Sequence, residues 1–206
     1  MHADGTVMGD IECFNVQGDK DGQVLYAQIS KKAGKLIMFS YGGNCNCVQY
    51  QDEKAVTAGE EFLSSLGINN MKAVWINLTG NVYTINYAVE QNDVIIYSDL
   101  IKVRVCAETC KVIGIEAKSY YTNHTDRVIS APLLSERQAG EKVSGNIGIT
   151  TARLALVPVG QNTEKLCYEF IGEYDDSTYY VYVDALNGRQ IEMFKVVTNQ
   201  EGLMLM

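Results

Sequence analysis

Residues 178–197 read TYYVYVDALNGRQIEMFKVV. Val181, Val183 and Ala185 alternate with Tyr180, Tyr182 and Asp184, the two-residue period of a strand whose faces differ. Asn187-Gly188 supplies the φ > 0 positions of a tight reversal, and Ile191 and Phe194 among polar residues mark a returning strand. The stretch is a β-hairpin, and it is written three times. Residues 24–29 turn at Ala33-Gly34 and return through 35–39; residues 101–105 turn around 108–110 and return through 111–115.

The similarity extends past the hairpins. Cys13 falls on Cys167, Phe14 on Tyr168, Gly18 on Gly172, Tyr26 on Tyr180 and Gly34 on Gly188, all 154 residues apart. Ala58-Gly59-Glu60 falls on Ala139-Gly140-Glu141 and Leu66-Gly67-Ile68 on Ile147-Gly148-Ile149, 81 residues apart. Two long ungapped registers that share glycines define a repeat, and the repeat fixes the unit before any fold is assigned.

The unit reads as helix, strand, strand, hairpin. In the second copy the helix covers 51–66, with Ala55, Ala58, Phe62, Leu63 and Leu66 on one face, Asp52 as cap and Gly67 as stop. In the third, Ser135 and Gln138 form a capping box, and Ala139, Val143 and Ile147 carry the apolar stripe. The first copy lacks a helix: residues 1–10, with Gly5 and Gly9, are too short and flexible to hold one, so the chain reads as starting midway through a unit. The expected class is α+β: tandem repeats, each a small antiparallel sheet packed with one helix, the first truncated to strands. The expected boundaries are 1–49, 50–129 and 130–206.

Strands are expected at 71–78, 82–90, 94–97, 152–159 and 165–171, with a hairpin turn at Gly80-Asn81. Tyr83, Ile85, Tyr87 and Val89 share one face. Pro158, near a strand end, points to an edge position. Residues 42–50 link the first unit to the second, and 120–132 form a polar connector. The thirteen tyrosines read as half-buried sheet residues with wet hydroxyls, a carbohydrate-stacking platform being the sharper alternative.

Composition narrows the function. The net charge of −8 argues against nucleic acid or an anionic membrane surface, both of which need clustered Lys and Arg. No apolar run reaches the ~20 residues that span a bilayer. Of six cysteines, Cys13 and Cys167 read as small buried hydrophobes. Cys106 and Cys110 have a spacing that zinc sites use, but a structural site wants a second close pair and His124 has no companion. Cys45-Asn46-Cys47 lies in a glycine-rich loop. A Cys106–Cys110 disulfide stays open, with free thiols the default reading, and no metal or cofactor is expected.

Nor does a catalytic motif emerge. The two histidines are His2 and His124, which leaves little for a Ser-His or Cys-His pair. Neither a nucleophile elbow, a phosphate-binding loop nor a metalloprotease helix is written. Glu60-Glu61 and Asp175-Asp176 are adjacent and diverge as solvated surface. Asn77-Leu78-Thr79 and Asn123-His124-Thr125 match the weak glycosylation pattern. The suggestive cluster is Tyr121, His124 and Arg127 in the connector: an anion or partner site, or side chains that tie the connector to the sheets.

A helix-plus-sheet repeat ending in Tyr-Tyr-Val-Tyr-Val-Asp-Ala-Leu-Asn-Gly resembles the PepSY domain family. Residues 98–105, Tyr121 with His124 and Arg127, residues 153–158, residues 166–170 and the closing Glu201-Gly202-Leu203 resemble more specifically the C-terminal PepSY-repeat region of the YpeB-like spore-germination family. Cys110 departs from that family's pattern, standing where its turn usually offers glycine. The resemblance implies a non-enzymatic protein, anchored through an N-terminal segment. It also implies export to the outer face of the inner spore membrane or the cortex region. The implied partner is a SleB-like cortex-lytic hydrolase that the protein binds, stabilises or localises. Inhibition of a peptidase or hydrolase, by analogy with PepSY domains, and direct peptidoglycan binding are the alternatives.

Overall fold

The computed structural model describes residues 2–8, 11–20, 22–47, 51–160, 163–199 and 202–205, with side chains for 11–20, 22–47, 51–160 and 163–197. Asp10, the linker residues 48–50 and Glu201 lie outside them. The fold is mostly strand with few helices. In chain order the elements are β1 (His2–Met8), β2 (Ile11–Lys20), β3 (Gln23–Ser30), β4 (Leu36–Tyr41), α1 (Asp52–Ser65), β5 (Met71–Thr79), β6 (Val82–Gln91), β7 (Val94–Cys106) and β8 (Val112–Glu116). Then come α2 (Lys118–Asn123), α3 (Glu136–Gly140), β9 (Gly148–Pro158), β10 (Glu164–Tyr174), β11 (Ser177–Asp184), β12 (Gln190–Asn199) and β13 (Gly202–Leu205). Two compact units form: Met1–Val89 with Asp99–His124, and Glu90–Ser98 with Thr125–Met206.

In the first unit strands run in the order β1-β2-β3-β4-β8-β7, and β6 pairs with β7 and β5. Residues 2–8, read as unable to hold a helix, are a strand antiparallel to β2. Tyr83, Ile85, Tyr87 and Val89 of β6 are all buried, as their alternation requires, and join Ile101, Val103 and Val105 of β7 in the core. The α1 stripe differs from the expected one. Ala55, Gly59 and Leu63 are buried, whereas Ala58, Phe62 and Leu66 are only half-buried. The cause is Gly59, which lets the Tyr87 ring lie against the helix backbone, its hydroxyl donating to Val56 O at 2.8 Å. Asp52 is not the cap: Gln51 holds that position without a side-chain cap bond, and Asp52 and Glu53 instead place charge in the first turn. Gly67 (φ +75°) ends the helix as expected, its amide and that of Ile68 returning to Ser64 O and Leu63 O.

The three hairpins share one geometry. Ile29 pairs with Leu36, Val105 with Val112 and Val183 with Gln190, each next to a register shift. Each loop is closed by the same two backbone bonds: Ser30 N to Lys35 O and Gly34 N to Ser30 O, Cys106 N to Lys111 O and Cys110 N to Cys106 O, Asp184 N to Arg189 O and Gly188 N to Asp184 O. One left-handed residue completes each turn: Gly34 (φ +63°), Cys110 (+52°) and Gly188 (+75°). The reversal is therefore a four-residue loop with a single positive φ, and Asn187 is not among the left-handed residues. Register also agrees between β2–β3 and β10–β11. Cys13 faces Ser30 as Cys167 faces Asp184, and Gln17 faces Tyr26 as Ile171 faces Tyr180.

The second unit orders β9-β10-β11-β12-β13 antiparallel, with Val94–Ile96 of β7 running parallel to 154–156 of β9. That parallel pair departs from the all-antiparallel expectation. It also flanks β9 on both sides at 154–156, so Pro158 terminates an inner strand instead of marking an edge. Strand β7 is unbroken from Val94 to Cys106, where two segments were expected. Asp175-Asp176, read as diverging surface carboxylates, form the β10–β11 reversal, both with positive φ (+49° and +52°). The Ser135/Gln138 capping box is present, and Ala139 and Val143 are buried, but the helix stops at Gly140. Ser144 and Gly145, poor helix formers, follow within a turn.

Candidate functional site

The connector residues fall into both units. In the first, Ala117 N donates to Ile37 O at 2.8 Å, fixing the start of α2, a helix the polar connector was not expected to contain. His124 N then donates to Tyr120 O at 2.8 Å, and the His124 ring stacks on Tyr120 with centroids 4.5 Å apart. Its Nδ1 lies 2.7 Å from Asp99 Oδ2. Asp99 is fully buried and His124 about one-third exposed, so the imidazole is a polar partner for a carboxylate taken out of water. Tyr121, whose hydroxyl burial pushes above its ordinary range, lines a cavity of about 370 Å³ with Ile11, Glu12, Lys31, Lys35 and Ile37.

In the second unit the Arg127 guanidinium forks onto Glu164, Nε at 3.2 Å and Nη2 at 3.0 Å, while Nη1 donates to Thr125 O at 2.8 Å. The Gln91 amide clamps the Arg127 backbone, donating to its carbonyl at 2.7 Å and accepting from its N–H at 3.1 Å. Burial raises the Glu164 carboxyl, but the hydrogen bonds from Arg127 and Ser98 outweigh it and hold the group below the usual carboxylate range. This two-pronged pairing is the geometry at which Arg is strongest. The fork and the backbone clamp together fix the connector to the edge of the second unit's strands.

A second polar constellation was not singled out from the sequence. Glu169 of β10 is fully buried, directly opposite Arg153 of β9 and Tyr182 of β11. Arg153 Nε donates to Glu169 Oε1 at 2.7 Å and Nη2 to the Tyr97 hydroxyl at 3.0 Å, while Tyr97 donates to Glu169 Oε2. Burial, then the charge of Glu169, pushes the Tyr97 phenol up; the Tyr182 phenol is pushed up by the same two causes. The carboxylate thus spends both oxygens on neighbours from two strands, which makes it a registration pin for β7, β9 and its own β10. Arg153 and Glu169 stand in segments read as strands, without a role for either side chain. The available signal was a Glu inside Leu166-Cys167-Tyr168-Glu169-Phe170, a run otherwise apolar or aromatic.

Several tyrosines are drier than expected. Tyr83 and Tyr87 are fully buried, Tyr83 accepts from Gln51 N at 2.9 Å, and Tyr168 donates to Leu134 O at 3.0 Å. Cys13 and Cys167 are buried small hydrophobes, as read. Among the described residues no group of three His, Cys, Asp or Glu side chains is arranged to hold a metal ion.

Antiparallel strands, few helices, hairpins of one design and inward-turned polar clamps define a β-rich protein. A family model described as YpeB sporulation, PepSY1 and PepSY2 domains, matches residues 4–130. The chain belongs to the YpeB sporulation family. It is 28% identical over 187 residues to a sporulation protein YpeB of Oceanobacillus iheyensis, covering 88% of this chain and 40% of that protein. It is 30% identical over 189 residues to that of Bacillus subtilis, covering 91% and 42%. The chain therefore spans about two-fifths of these relatives. Among solved structures it is similar to the Bacillus megaterium YpeB C-terminal domain, with TM-score 0.83 and 25% identity over 94% of this chain and 88% of that one. These relatives are named as sporulation proteins.

Proposed function

We propose that this chain is a non-catalytic holding module: a run of three PepSY-like repeats, the first without a helix, that binds and stabilises or localises a SleB-like cortex-lytic hydrolase in the dormant spore. The observation that carries the reading is the use made of its polar groups. His124 and Arg127, the connector's most chemically capable side chains, pair with Asp99 and Glu164 inside their own units. Glu169 is likewise spent on Arg153 and Tyr97. Groups so engaged build a stiff frame, and strand edges with fixed register suit contact with another protein. Export, and a place at the outer face of the inner spore membrane or in the cortex, belong to the same proposal.

The experiment is cortex digestion by the hydrolase with and without this chain, alongside the survival of the hydrolase on prolonged incubation. Holding predicts unchanged initial digestion and slower loss of hydrolase activity. Dose-dependent arrest of digestion would establish inhibition instead. Release of cortex fragments by this chain alone would overturn the non-catalytic reading.

A further inference from the structure

Two of the hairpin turns carry a covering segment drawn from the chain itself. In the second unit Leu133 N and Leu134 N both donate to Ala185 O, at 3.1 and 3.0 Å, and Leu134 O accepts from the Tyr168 hydroxyl at 3.0 Å. The Leu134 side chain lies over the turn, its Cδ1 being 3.1 Å from where a Cβ on Gly188 would stand. On the β7–β8 turn sits segment 42–47, whose Asn46 N donates to Glu108 Oε2 at 2.9 Å.

The β3–β4 turn of the first unit has the same backbone and no cover. Lys31 N donates to Glu12 O at 2.9 Å just as Ala185 N donates to Leu166 O at 2.9 Å. Among the described residues nothing donates to Lys31 O, the counterpart of Ala185 O, and a Cβ on Gly34 would meet nothing within 4 Å. Phe14 is 47% exposed, where its counterpart Tyr168 is 7% exposed. The turn borders the cavity of about 370 Å³ that Ile11, Ile37 and Tyr121 line.

Charge decides what fits there. Lys31, Lys32 and Lys35 also line the cavity, with Glu12 as their single carboxylate neighbour in it. The third copy has Ala185, Leu186 and Arg189 at the same places. All three lysines are exposed, none is ion-paired among the described residues, and Lys31 Nζ lies 5.6 Å from the Phe14 ring centroid. In a chain of net charge −8, this is a local reversal of sign beside an apolar surface.

We propose that the β3–β4 turn is a docking site for an extended acidic segment of a partner polypeptide. Its amides bond to Lys31 O as Leu133 and Leu134 bond to Ala185 O, an aliphatic side chain covers Gly34 and Phe14, and its carboxylates meet the three lysines. A polypeptide fits better than a nucleic acid, because the turn offers a backbone acceptor and an apolar seat as well as charge. The site asks only for this chemistry, so it stands apart from the holding of a hydrolase.

The test titrates the whole chain with the peptide acetyl-Asp-Glu-Pro-Leu-Leu-Asp-Glu-amide, up to roughly millimolar, and follows backbone amides by nuclear magnetic resonance. Saturable shifts confined to residues 30–35 and their neighbours on β2, Phe14 among them, are expected. Lys32→Glu with Lys35→Glu weakens binding about tenfold or more, while Arg189→Glu, at the matching place in the second unit, leaves it unchanged. All three side chains are exposed, so melting of these variants stays at that of the unsubstituted chain. Replacing both leucines of the peptide by glycine also weakens binding. Absent shifts, shifts centred elsewhere, equal binding of the glycine peptide, or an oligonucleotide of equal charge shifting the same amides as strongly overturns the proposal.

Discussion

Replacing Cys110 with glycine stabilises the first unit. The three hairpin turns close with the same pair of backbone bonds, and each needs one left-handed residue at the same place. Two copies meet the need with Gly34 and Gly188; the third forces Cys110 to φ +52°. An L-residue there costs about 1–2 kcal/mol through the clash of Cβ with the following carbonyl. Glycine removes that cost but adds about 0.5–1 kcal/mol of backbone entropy to the unfolded chain. The net gain is about 0.5–1 kcal/mol. The reverse changes run the other way. At Gly34 an added Cβ meets nothing within 4 Å, so Gly34→Ala loses about 1 kcal/mol from backbone strain alone. At Gly188 it also meets Leu134 Cδ1 at 3.1 Å, so Gly188→Ala loses more. The chain's single tryptophan, Trp75, lies in β5 of the first unit, so urea unfolding followed by tryptophan fluorescence reads Cys110→Gly and Gly34→Ala directly. Gly188→Ala, in the second unit, is read by near-ultraviolet circular dichroism of its tyrosines. A lower urea midpoint for Cys110→Gly, with unchanged slope, would show that the thiol's contacts outweigh the strain and would refute the shared-turn argument.

The two glycines of the Ala-Gly-Glu motif separate in the same assays. Gly59→Ala drives a methyl into the Tyr87 ring and destabilises by roughly 2 kcal/mol or more, while Gly140→Ala, whose methyl meets Phe170 no closer than 3.6 Å, is neutral within about 0.5 kcal/mol in chemical denaturation. Glu169→Leu strands Arg153 and destabilises by about 3–5 kcal/mol, and adding Arg153→Met recovers most of that, a pattern a double-mutant cycle measures. Acid weakens the second unit through Glu164 and Asp184, both held below their ordinary values: burial opposes this in each, but Arg127 and Ser98 outweigh it at Glu164, and the Leu186 amide and Lys165 at Asp184. A depressed folded value means stability present above the unfolded carboxylate value of ~4 and lost as pH falls through the folded one, so melting temperature drops from about pH 5 downward, and less steeply in Arg127→Met.

The three hairpins were legible because hairpins are local. Alternation, a glycine and a return strand lie within twenty residues of one another, and the equal spacing of Cys13/Cys167 and Gly34/Gly188 carried over into equal strand register. What failed depended on partners far along the chain. The α1 stripe turned toward Gly59 because Tyr87, on a strand two elements later, needed the space. Pro158 lost its edge position to Val94–Ile96, a pairing no local pattern announces. Asp175-Asp176 are exposed, as their reading as surface charge requires; that they also make the β10–β11 reversal follows from Asp tolerating the left-handed region. Of the site, the connector triad was visible as a polar cluster, but not its anchors: Asp99 and Glu164 are ordinary residues until the strands bring them to His124 and Arg127. Glu169 was hidden in a run otherwise apolar or aromatic, Leu166-Cys167-Tyr168-Glu169-Phe170.

The holding role rests on a direct contact, and amide hydrogen exchange of this chain with and without the cortex-lytic hydrolase measures it. The account predicts co-purification of the two and slowed exchange confined to a contiguous stretch of strand edge, with the buried strands β6 and β10 unchanged. Identical exchange in both samples, at concentrations where the hydrolase digests cortex normally, would contradict it.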